Sequence, residues 1–174
     1  MAARISEGAA DAVLVATQVE ERQRQLEAVG RVLAPALQPE TASGLDRNLA
    51  ALSRSMASVR SHRQTLEVGI GNPEAAAAES AALSGEVRRV ETALEAHAVA
   101  VRSALDDVPL AALRGRLSDA EGLRREEVLA LLDLVLEDEA ELARHGDLLD
   151  YLVTLLSTEE RGSRRRIAHD PATL

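Results

Sequence analysis

Leu45, Leu49, Leu52, Met56, Val59, Arg63, Leu66 and Ile70 follow one another at alternating steps of four and three residues. In a strand, with its period of two, these residues would scatter over both faces. On an α-helix they form a single seam. A seam of this length has to be covered by another helix, so the spacing commits the segment to helix-on-helix packing.

Two further segments repeat the pattern. Leu83, Val87, Val90, Leu94, His97 or Ala98, Val101 and Leu105 make a second seam, and Ile5, Ala12, Val19, Leu26 and Leu33 recur at sevens. Ala9, Val15, Ala16, Val29 and Leu37 fill the intermediate positions of the latter, interrupted by Arg22 and Gln23. The punctuation agrees with the pattern. Pro35 ends or kinks the first helix, Gln38-Pro39-Glu40-Thr41 reads as a turn, and Thr41 or Ser43 can cap the next helix. Gly69-Ile70-Gly71-Asn72-Pro73-Glu74 combines glycines that stop one helix with an Asn cap, a first-position proline and a first-turn Glu for the next. Pro109 closes the third. Helices are therefore expected over about 3–37, 41–68 and 73–107. The short second turn makes an antiparallel hairpin, with the first helix lying along it.

The remainder is patterned differently. Leu110, Leu113 and Leu117 make a short helix, and Ser118-Asp119-Ala120-Glu121 is a capping box that opens a helix to about Arg144. Within it, residues 128–136 are apolar on nearly every face, as in a helix covered on several sides. Gly146 is read as a helix end and Asp147 as the next cap, followed by a broadly apolar helix from Leu148 to about Glu160. The expected fold is all-α: a long antiparallel hairpin or three-helix bundle with coiled-coil character over 1–108, a C-terminal helical hairpin over 109–161, and a flexible basic tail over 162–174.

Composition supports helix over strand. There are 32 Ala, 27 Leu and 15 Val, no Phe or Trp, and Tyr151 is the sole aromatic. Ala and Leu are strong helix formers, and without aromatics burial must accumulate from many small contacts along length. The net charge of −9 is concentrated in 72–161, which argues against a phosphate-backbone partner for the body of the chain. The chain has no cysteine, so disulfide and thiolate chemistry are excluded. No stretch approaches the ~18 apolar residues a membrane span needs, and residues 1–7 lack a hydrophobic signal core. A cytoplasmic location is expected.

Reactive constellations are sparse. His62, His97, His145 and His169 are far apart, and the residues three before His97 and His145 are Leu94 and Leu142, which breaks the Glu-x-x-His spacing of di-metal bundles. Glu141 and His145 share a helical face and read as a surface pair. Glu137-Asp138-Glu139-Ala140-Glu141 falls inside an expected helix, where carboxylates radiate into solvent instead of wrapping a cation. Gly69-Ile70-Gly71 lacks the strand and the Lys-Ser/Thr of a phosphate loop. No serine sits on a strand-turn-helix elbow. Arg63 and His97 are polar members of seams, and a small helix rotation would carry them to solvent.

Neither catalysis nor a cofactor is expected. The leading expectation is an interaction protein (a scaffold, adaptor or assembly subunit) that packs against a protein partner or a copy of itself. The candidate interface is Leu132, Val135, Leu136, Leu148, Leu149, Tyr151, Leu152, Leu155 and Leu156. A regulatory bundle holding a small apolar ligand, or forming part of a longer signalling chain, is the alternative. Nucleic-acid association through the Arg-rich tail ranks below both, and Arg164, Arg165 and Arg166 suit an acidic contact better.

Overall fold

The structure, a computed structural model, describes residues 2–68, 71–118 and 125–168. Among these there is no strand. The elements are α1 (Ala2–Leu33), a 3-10 turn (Ala34–Ala36), α2 (Pro39–Val68), α3 (Pro73–Asp106), α4 (Leu110–Ser118), α5 (Arg125–Leu136), α6 (Glu139–Arg144) and α7 (Gly146–Ala168).

The long helices end where the backbone chemistry requires. Pro35 sits in the 3-10 turn after α1, where its missing N–H removes a helical hydrogen bond. α2 starts two residues before the earlier of its expected caps. Pro39 takes the first helical position, and the Gln38 carbonyl accepts the first bond, from the Ala42 N–H at 3.0 Å. With Pro39 at the first position, Thr41 and Ser43 lie inside the helix and neither is its cap. α3 follows its expected start: the Asn72 side-chain oxygen accepts from the Glu74 N–H at 2.9 Å, with Pro73 at the first position.

Cross-helix contacts fix the directions. Glu20 pairs with Arg63, and Gln23 with Ser53 and Arg60, so α1 and α2 are antiparallel. His62 meets Glu79 at 2.7 Å across the α2–α3 hairpin. The Ser80 hydroxyl donates to the Gly8 carbonyl at 3.3 Å, and Arg22 and Arg102 reach one carboxylate, so α1 and α3 run the same way. α5 lies against α1 with Arg31 on Glu127 and Arg22 on Glu137, which makes it antiparallel to α1. At this end four helices alternate in direction. Towards the α2–α3 turn the bundle thins to three.

The seams are inside. Leu45, Leu52, Met56 and Val59 of α2 are buried, as is every expected seam position of α3 from Leu83 to Leu105. On α1 the buried apolar residues are Ala12, Ala16, Val19, Leu26, Ala28, Val29, Val32 and Leu33. Mostly small residues in the first half of that stripe and mostly larger ones in the second match the change from two neighbouring helices to three. The interior continues without a break through Val108 and Leu113 into Val128, Leu131, Leu134 and Val135 of α5 and Leu148 and Leu152 of α7. Ile70 and the capping box at residues 118–121, apart from the backbone of Ser118, lie outside the described residues.

Three further helix boundaries depart from the sequence reading. The helix expected to reach Arg144 breaks after Leu136, and the Asp138 carboxylate caps α6 by accepting from the Ala140 N–H at 2.9 Å. Gly146 begins a helix instead of ending one; the His145 carbonyl accepts from the Leu149 N–H at 3.0 Å, so His145 holds the cap position expected of Asp147. And α7 runs to Ala168, so the first part of the stretch expected to be a flexible tail continues the helix.

Candidate interaction surface

α5 and α7 carry the candidate interface, and their apolar residues divide into two sets. Val135, Leu148 and Leu152 lie in the chain's own interior and are closed to a partner. Leu132, Tyr151, Leu155 and Leu156 are half-buried and packed against that interior, and Leu149 is half-buried. Leu136 is 47% exposed, and so, at 49%, is Val153, which belongs to the same face of α7 as Leu149 and Leu156. On α5, Leu132 and Leu129 lie about one and two turns before Leu136, continuing the open edge. Eight of the twelve residues of α5 are apolar, a stripe too wide for α1 and α7 to cover. Tyr151 is held on the other flank of α7, its ring 5.4 Å below the Arg114 guanidinium. The backbone of α7 includes Arg164, Arg165 and Arg166, whose side chains lie outside the described residues.

Charged side chains set where this surface sits. At the break after α5, Glu137 accepts from Arg22 of α1 and, at 2.7 Å, from Arg102 of α3. One carboxylate thus ties the turn to both long helices. At the next junction Asp106, at the end of α3, takes Arg144 at 2.6 Å and the His145 ring nitrogen at 3.1 Å. The Arg144 hydrogen bond is the main cause holding the Asp106 carboxyl below its ordinary range, with His145 adding to it. The acidic run was expected to be a solvated helix face; instead Glu137 and Asp138 shape the α5–α6 corner. These pairings link residues up to 115 apart in sequence, and no local spacing announces them.

A second polar cluster lies between α1 and α2. Glu20 is buried; its Oε2 is 3.0 Å from Arg63 Nη1 and 3.8 Å from Arg24. Gln23, also buried, donates to Glu27 at 2.9 Å and to Ser53 at 3.0 Å and accepts from Arg60 at 3.4 Å. Arg63 therefore faces a buried carboxylate instead of only reaching for water. His97 departs further from the expected rotation to solvent. It is 3% exposed in the α3 seam, its Nδ1 has no partner, and burial holds its pKa below the ordinary value.

Among the described residues no three His, Asp or Glu side chains gather closely enough to hold a metal ion. Among the described residues His62 meets Glu79 and His145 meets Asp106; the side chain of Glu141, the surface partner expected for His145, lies outside them. The grooves are rimmed by charge: one of about 480 Å³ between α1 and α5 is bordered by Glu21, Arg24, Glu27, Arg31, Glu126 and Glu127. No described helix is long and apolar enough to cross a membrane. In comparisons with known protein families, curated proteins and solved structures, the chain matches none.

Proposed function

We propose that this chain is a non-enzymatic interaction protein, a scaffold, adaptor or assembly subunit that packs its helices in coiled-coil fashion against a partner protein or a second copy of itself. The observation that carries this reading is the unfinished burial of α5 and α7. Leu136 and Val153 stand half in solvent beside half-buried Leu132, Leu149 and Leu156. Apolar residues left exposed on two helices that pack on each other are the usual mark of a surface meant to be covered. Glu137 and Asp106 nearby are engaged in joining helices to each other, which favours a framework over a reaction centre.

The test uses the full chain and the Leu136→Asp/Val153→Asp variant. Both positions are exposed, so the variant should melt within a few degrees of the parent. The expected result is that light scattering coupled to size exclusion, or cross-linking and partner recovery, detects an assembly with the parent and loses it with the variant. A parent that stays monomeric at high concentration and recovers no partner would overturn the reading.

A further inference from the structure

The open edges of α5 and α7 are bordered by carboxylates that the fold leaves unused. Asp133 follows Leu129 and Leu132 and precedes Leu136 on the solvent side of α5, and Asp150 stands between Leu149 and Val153 on α7. Asp133, Asp147 and Asp150 are exposed, and among the described residues none of the three carboxylates has an ion pair or hydrogen bond. This contrasts with Glu137, Asp106 and Glu127, all of which are paired. Arg125, the one cation on the same edge of α5, is already engaged within the chain. Residues 125–158 hold nine carboxylates against two arginines, a balance of −7.

We infer that the occupant of this surface is an amphipathic helix of a different protein, with apolar residues at i, i+3 or i+4 and i+7 and Lys or Arg along its flanks. The inference rests on the reading of α5 and α7 as an interface, and it narrows the choice that reading leaves open. A helix laid along the edge places its apolar face on Leu132, Leu136, Leu149 and Val153, the binding mode of a helix in a groove. Its basic flanks then meet Asp133 and Asp150. A second copy would bring the same excess of carboxylates against itself, and like charges across an interface oppose association.

The probes are two synthetic helical peptides with identical Leu positions, one flanked by Lys and Arg, the other by Glu. Anisotropy titration against the full chain should show the basic peptide binding at least tenfold more tightly, with the difference shrinking as salt rises. Leu136→Asp/Val153→Asp should abolish binding. Asp133→Lys/Asp150→Lys should reverse the preference between the peptides. Asp11→Lys, about three turns of α1 before Arg22, should change nothing. Equal affinity for the two peptides, or equal loss on Asp11→Lys, would show general attraction to an acidic chain and overturn the inference. A parent dimer dispersed by Leu136→Asp/Val153→Asp, with no peptide bound, would also overturn it while leaving the interaction reading intact. If the parent binds neither peptide, stays monomeric and recovers no partner, both fail.

Discussion

His97 sits in the α3 seam between Leu94 and Val101 with an unpartnered Nδ1. Burial without a counter-charge disfavours the imidazolium, so the folded pKa lies below the unfolded one. The unfolded chain then binds a proton first as pH falls. Stability is full above the unfolded value of about 6.5 and declines as pH drops from there towards the folded pKa. Thermal melts from pH 8 to pH 5 should show this slope. His97→Leu should flatten it and, by removing an unsatisfied buried nitrogen, raise stability by about 1 kcal/mol. An unchanged slope would place the sensitivity elsewhere. The seam spacing identifies His97 and Arg63 as its polar members. It cannot show that Arg63 meets Glu20, because that pairing depends on how α1 slides along α2.

At the scale of elements, local chemistry is most readable where backbone groups are satisfied by near neighbours. Asn72 is one such case, since its oxygen and the Glu74 N–H are two residues apart. Asn72→Ala should cost about 1 kcal/mol, seen as a lower melting temperature, whereas Asn72→Ser should be nearly neutral. The break after Leu136 is the opposite case. Residues 137–144 are mostly strong helix formers, and propensity alone continues α5 through them. Two arginines from other helices hold Glu137 at the corner, and a long-range constraint of this kind overrides a local preference worth tenths of a kcal/mol per residue. Glu137 is partly exposed, so Glu137→Gln should lower stability by less than about 1 kcal/mol, an effect that fades in high salt. Hydrogen exchange should nonetheless quicken in α6 and α7, which the corner positions.

For the whole molecule the decisive arrangement is the return of α5 along α1, which makes a four-helix end from a three-helix bundle. Leu131, Leu134, Leu148 and Leu152 are each 2% exposed or less there. Leu152→Asp should destabilise the fold by several kcal/mol, because an unpaired carboxylate would be buried, and chemical denaturation should show it as a large midpoint shift. Leu136→Asp, 16 residues earlier and half in solvent, should hardly move the midpoint. The contrast between the two separates the interior from the candidate interface, a separation that a list of apolar residues in α5 and α7 does not make.

The alternation of fours and threes through Leu45–Leu66 and Leu83–Leu105, with Pro39, Asn72-Pro73 and Pro109 as punctuation, was enough to determine three long helices and their inward faces. Periodicity and capping act within a turn or two, and their physics is complete in the local sequence. Which apolar residues of α5 and α7 stay outside, and which carboxylates are paired, was decided only by the tertiary structure. Both depend on how many neighbours a helix acquires, and that number is set by packing between segments up to about a hundred residues apart.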